Sequence, residues 1–175
     1  MDSQDITCRC GTVRLSASGR PSGATICHCA ECQTAAMIFE RRFNAPVADS
    51  EGGTFHVLWR KDRLTCQSGS DKLAAHKLDP KSPTDRVIAT CCGTPMYLDR
   101  KGRPWVGVFA ERVPEQARPD PELRVYAKDR VELEKIYITG GASRVGNLTG
   151  YLTREFGGVP VSALKIDEEI SPEQP

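Results

Sequence analysis

No stretch of the chain approaches the roughly 18 consecutive apolar residues that a membrane helix needs, so no membrane-spanning segment is expected. The first residues, Met1-Asp2-Ser3-Gln4-Asp5, carry neither a basic start nor an apolar segment. No secretory leader is therefore expected, and the cytoplasm is the expected compartment. Charge of one sign is also missing: 24 basic and 23 acidic side chains leave a net charge of +1. Proteins dedicated to nucleic acid carry a basic excess or patch, because phosphate neutralisation supplies much of their affinity. Nucleic acid is therefore not an expected partner. There is no long internal repeat and no long linker. The glycines Gly140, Gly141 and Gly146 lack the Lys-Ser/Thr ending of a phosphate loop and lack a full dinucleotide fingerprint, so they are expected to form a turn and the start of a helix.

What is present fits a globular domain. The 175 residues are 39% hydrophobic and 27% charged, which is enough apolar material for a core. Thr12 to Ser18 alternates, with Val13, Leu15 and Ala17 on one side, the period of a half-buried strand. Further strands are expected at Ala24–Ile26, Thr54–Trp59 (Phe55, Val57 and Trp59 on one face), Arg63–Cys66, Lys72–Leu78, Arg86–Thr90 and Trp105–Phe109. Glycine and proline turns separate them. Ala35–Phe39 is either a helical turn or the start of a strand. Many short strands favour an antiparallel, mainly β core. Residues 1–113 are read as this β domain. Residues 114–175 are read as an extension packed on it, with a loop from Pro114 to Pro121, one helix and an acidic tail. The helix rests on Val145, Leu148, Leu152 and Phe156, spaced i, i+3, i+7, i+11 and stopped at Gly157-Gly158.

Eight cysteines carry the chemical signal. In a reducing compartment, tight Cys-x-Cys and Cys-x-x-Cys spacing points to metal rather than to disulfides. Cys8-Arg9-Cys10-Gly11 can turn two sulfurs toward one ion, with Gly11 free to take a positive φ. Its partner is expected at Cys91-Cys92-Gly93, so that metal binding closes a loop of roughly eighty residues and is coupled to folding. Neighbouring side chains of an extended strand point to opposite faces, so Cys91 and Cys92 can share an ion only if the backbone turns sharply between them. Otherwise Cys91 is a spare buried thiol. Cys27-His28-Cys29-Ala30-Glu31-Cys32 supplies three sulfurs within six residues. Three thiolates leave the fourth position of a zinc ion open to water or substrate, whereas a closed four-ligand shell is structural. Cys66, alone in a strand, is expected to be a small core residue.

The order Cys8-x-Cys10-Gly11-x-Val13, then Cys27-His28-Cys29-x-x-Cys32, then Cys92-Gly93-Thr94-Pro95 resembles the glutathione-dependent formaldehyde-activating enzyme family and its centromere protein V relatives, over about Ile6 to Phe109. The resemblance implies a β-tent of short antiparallel sheets around zinc knuckles. It also implies a structural zinc on Cys8, Cys10 and Cys92, and a second zinc on Cys27, Cys29 and Cys32 connected with glutathione and formaldehyde chemistry. Two positions depart from the family pattern. Ala89 stands where the last motif usually has its first cysteine, with Cys91 as the replacement, and Gln33-Thr34-Ala35-Ala36 lacks the usual basic residues and glycine.

Two functions follow as alternatives. In one, Zn2+ on the Cys27 group holds a small-molecule thiol such as glutathione and assists carbon–sulfur bond making or breaking, as in a zinc-dependent carbon–sulfur lyase. In the other, the metal only stabilises a protein-interaction module. His28, between two candidate ligands, is either a proton shuttle or a solvent-facing or hydrogen-bonded structural residue. His56 and His76 have no ligand-spaced neighbour. Arg41-Arg42 is either a carboxylate-binding pair for glutathione or a solvated surface pair.

Overall fold

Alternation along Thr54–Arg60 sends Val57 and Trp59 to one side of the sheet, and Thr54 and His56 to the other, and all four are buried. A strand buried on both faces needs a layer on each side, and the computed structural model supplies both. It describes residues 3–126 and, as backbone, residues 136–138 and 161–163. The strands are β1 (Ser3–Thr7), β2 (Arg14–Ser18), β3 (Gly23–Cys27), β4 (Thr54–Arg60), β5 (Leu64–Ser68), β6 (Leu73–His76), β7 (Thr84–Ala89), β8 (Thr94–Arg100), β9 (Trp105–Phe109) and β10 (Leu123–Val125), with one α-helix, α1 (Ala30–Phe43). A three-stranded sheet runs β1-β2-β5, and a seven-stranded sheet runs β10-β3-β4-β9-β8-β7-β6.

Between the two sheets lies the main core, which includes Ile6, Val13, Leu15, Ala17, Val57, Trp59, Met96, Val106 and Val108. On the other face of the large sheet, Ala35, Ala36 and Phe39 of α1 pack with Ala45, Val47, Ile88 and Phe109. Phe39 meets Phe109 edge to face, with centroids 5.7 Å apart. Val13, Leu15 and Ala17 are buried together, as their spacing predicts. Cys66 is half-buried against the main core. The fold is thus mainly β, and every ladder in these two sheets is antiparallel except β10 on β3. That parallel edge strand brings Arg124 beside the Cys27 knuckle, and His28 N–H extends the ladder to the Val125 carbonyl at 3.0 Å.

The chain divides into two compact units, residues 1–129 and 130–175. In the second unit, β11 (Ile136–Ile138) pairs in parallel with β12 (Val161–Ala163). The helix expected on Val145, Leu148, Leu152 and Phe156, the glycine cluster at Gly140, Gly141 and Gly146, and the acidic tail lie outside the described residues. Among the described residues no helix is long and apolar enough to cross a membrane.

Candidate metal centres

Two groups of cysteine sulfurs gather in the first unit: Cys8, Cys10, Cys91 and Cys92, and Cys27, Cys29 and Cys32. In each group all Sγ atoms lie within 4.8 Å of one another, and each group could hold a metal ion. In the four-sulfur group, Cys8–Cys10 is 3.5 Å, Cys8–Cys91 3.8 Å, Cys10–Cys91 3.4 Å and Cys91–Cys92 3.9 Å. A tetrahedron with zinc–sulfur bonds of 2.3 Å has edges of about 3.8 Å. The spacing therefore suits a tetrahedral thiolate site.

The sharp turn between Cys91 and Cys92 that the sequence demanded is present. Thr90–Gly93 forms a turn between β7 and β8, with Cys92 N–H donating to the Ala89 carbonyl at 3.3 Å and Gly93 at φ +66°. Cys91 is exposed rather than a spare buried thiol. At the first knuckle, Gly11 takes φ +77°, and Val13 N–H donates to Cys8 Sγ at 3.3 Å. Cys10 lies 3.3 Å from the Thr12 hydroxyl, and hydrogen bonding from Thr12 draws its thiol down to about 6, where it is readily ionised.

Arg9 ties this group together. Its guanidinium donates to the carbonyls of Phe43 (2.8 Å), Asn44 (2.7 Å) and Cys92 (2.7 Å), joining both knuckles to the C-terminal end of α1. That end would otherwise leave carbonyls without partners. Asn44 closes it in the left-handed conformation at φ 48°.

The three-sulfur group sits at the opposite end of the same helix. Cys27 ends β3, Cys29 is the N-cap of α1, and Cys32 lies in its first turn. Cys29 Sγ accepts from Cys32 N–H at 3.4 Å, which a cap normally does through an oxygen. Cys27 and Cys32 are buried, and Cys29 is half-buried. The three sulfurs share protons unequally. Hydrogen bonds from the Cys27 and Cys32 side chains hold Cys29 far below the ordinary thiol range. The Cys29 contact pushes Cys27 up to about 11, and the contacts with Cys27 and Cys29, then burial, raise Cys32 further. The group thus carries negative charge at the positive end of a helix.

His28 is fully buried. Its carbonyl accepts from Gln33 Nε2 at 2.6 Å, and its Nε2 lies 3.2 Å from Arg124 Nη1. A guanidinium can only donate, so in this contact Nε2 is the acceptor. Arg124 is itself paired with Glu51 at 2.8 Å. Of the roles open in the sequence, this is the hydrogen-bonded placement and not a solvent-facing one. Arg41 and Arg42 are exposed in the last turn of α1, nine and ten residues from Cys32.

Three neighbours of the triad were not marked by ligand spacing. His56 is 4% exposed, Arg86 2% and Thr54 1%, and with Cys32 they line a small cavity between α1 and the large sheet. Burial lowers His56 to about 4, so its ring is neutral at pH 7. Arg86 Nη2 donates to Glu31 at 3.3 Å, and Glu31 is half-exposed. The available signal was an arginine two residues before Ile88, on the face of β7 that turns toward the helix. A second, larger cleft of about 190 Å³ is lined in part by Ile26, Val47, Asp49, Phe55 and Glu111.

Comparison with curated proteins finds no match. Among solved structures, a Rhodobacter sphaeroides protein aligns at 18% identity over 69% of this chain and 99% of that one, with a TM-score of 0.47. The sequence model of the glutathione-dependent formaldehyde-activating enzyme family matches residues 3–129, the whole first unit bar its first two residues. The chain belongs to the glutathione-dependent formaldehyde-activating enzyme family.

Proposed function

We propose that this protein is a zinc-dependent enzyme acting on a thiol adduct, with glutathione or a related small thiol as the carrier, in carbon–sulfur bond making or breaking. The observation that carries the reading is the unequal number of sulfurs in the two groups. Cys8, Cys10, Cys91 and Cys92 would complete a tetrahedral shell and hold a structural zinc. Cys27, Cys29 and Cys32 would hold a second zinc by three ligands, leaving one position for an exogenous sulfur. Zinc bound there would supply Lewis acidity and a site for a substrate thiolate at neutral pH.

The chain's own residues prepare that position. The N-terminal dipole of α1 favours negative charge in the triad, where Cys29 carries it. Arg86 places a buried positive charge at the cavity that Cys32 lines. Arg124 holds the His28 ring and thereby the strand end that presents Cys27. Family membership supports the choice of a thiol carrier.

The test is metal content per chain in protein purified without chelators, before and after glutathione is added. Two zinc ions per chain are expected, with the more exchangeable one lost in Cys29→Ser and perturbed by glutathione in wild type. One zinc per chain, indifferent to glutathione, would sink the enzyme reading and leave a structural zinc in an interaction module.

A further inference from the structure

The cavity beneath α1 is small, and three polar side chains reach into an otherwise apolar lining. Thr54 and His56 of β4 and Arg86 of β7 line it together with Cys32 and apolar side chains that include Phe39, Val47 and Phe109. Its volume is about 10 Å³, room for a single water-sized atom. Thr54 Oγ1, both ring nitrogens of His56, and Nε and Nη1 of Arg86 find no partner among the described residues. Buried polar atoms are nearly always paired, because each orphan forfeits the hydration it had in the unfolded chain. Five such atoms, on three residues that line one cavity, therefore point to an occupant.

Their chemistry defines it. Arg86 offers two N–H donors and a positive charge. Thr54 can donate or accept, and neutral His56 has one donor and one acceptor nitrogen. Unpaired donors of a buried cation in a one-atom space favour an acceptor oxygen over a donor. We propose that the Thr54–His56–Arg86 cavity is a binding site for one acceptor oxygen held beside the sulfur triad. The occupant is a water in the free protein and the oxygen of an oxygen-bearing thiol when one seats on the metal. The second half rests on the thiol reading above, and the first half does not.

Two measurements decide between these halves. A crystal structure of the zinc-loaded protein at about 1.5 Å should show an oxygen within about 3.2 Å of Arg86 Nη1 and of Thr54 Oγ1. An empty cavity, or one closed by Arg86 turning fully onto Glu31, overturns the site. Cobalt-loaded protein is then titrated with 2-mercaptoethanol and with 1-propanethiol, which differ in a terminal hydroxyl against a methyl, and the sulfur-to-cobalt absorption reads occupancy. Wild type should prefer 2-mercaptoethanol by roughly 10–100-fold, the value of one charge-assisted hydrogen bond. Thr54→Val, of nearly unchanged shape, should bring the two thiols close together while 1-propanethiol binding stays as it was. Equal affinities in wild type overturn the ligand half. If neither thiol alters the absorption, the exogenous-thiol reading fails, and the crystallographic oxygen still decides the site.

Discussion

Gly93→Ala tests whether the second knuckle is built as its geometry implies. Gly93 sits at φ +66°, and a Cβ there would meet Phe43 at Cδ1 (2.6 Å), Cβ (2.8 Å) and Cγ (2.9 Å). Rotating the Phe43 ring relieves only part of this, because its Cβ is fixed to the last turn of α1. Forcing alanine into the left-handed region costs about 1–2 kcal/mol, and overpacking adds about 1–3 kcal/mol. Gly11→Ala is the control, since Gly11 has φ +77° but nothing within 4 Å of its Cβ. It should cost only the backbone part, about 1–2 kcal/mol. The difference between the two variants, about 1–3 kcal/mol, isolates the contact with Phe43. Urea unfolding at fixed free zinc measures it, because free metal would otherwise shift the apparent stability. A Gly93→Ala variant no less stable than Gly11→Ala would refute the reasoning.

Two further perturbations follow from named groups. Arg9→Met removes the three carbonyl contacts and should lower stability by about 1–3 kcal/mol and speed chelator extraction of zinc from the four-sulfur group; Arg9→Lys should restore little, since an ammonium cannot reproduce the planar fork. Unchanged melting and extraction in Arg9→Met would remove Arg9 as the tie. Burial holds His56 near pKa 4 in the native state against 6.5 for the exposed group, so between these pH values the unfolded chain binds a proton that the native chain refuses. Stability should therefore fall as pH drops from 6.5 to 4, with about 3 kcal/mol of the loss due to His56. His56→Gln should show a shallower slope in that window, and parallel slopes would count against a buried neutral imidazole.

The parts of the fold that were legible in sequence are those where alternation involves large apolar side chains. Val13, Leu15 and Ala17, and Val57 and Trp59, predicted their strands and faces because each contributes directly to the main core. Among the described strands β1, β8, β10, β11 and β12 were missed, the first two for local reasons. β1 buries only Ile6 among its five residues, and β8 carries Pro95, which usually counts against a strand and is accommodated here where the β7–β8 register shifts. The helix was left open between a helical turn and the start of a strand because its buried stripe is Cys32, Ala35, Ala36 and Phe39. The spacing is helical, but cysteine and alanine give little hydrophobic contrast. The cysteine groups were legible because their spacing is local within each motif. The turn that lets Cys91 and Cys92 share one cluster was stated only as a condition. Thr54, His56 and Arg86 were not legible as a group, since they come from two strands that meet only in the folded sheet.

The two sulfur groups differ in what they do for the chain, and α1 shows why. Its fourteen residues span about 20 Å, from the Cys29 cap at one end to the Phe43 and Asn44 carbonyls held by Arg9 at the other. The four-sulfur group joins Cys10 to Cys91 across 81 positions of sequence, so its assembly must offset a long loop closure and belongs to folding itself. Once formed, it anchors the C-terminal end of the helix through Arg9. The triad closes no long loop: its three sulfurs lie within six residues, on a strand end and the first turn of a helix already fixed at its far end. Metal could leave or exchange ligands there without releasing the fold. The thiol exchange proposed above would need that freedom, and the division of seven cysteines into four and three would provide it at one end of the helix while the other end stays closed.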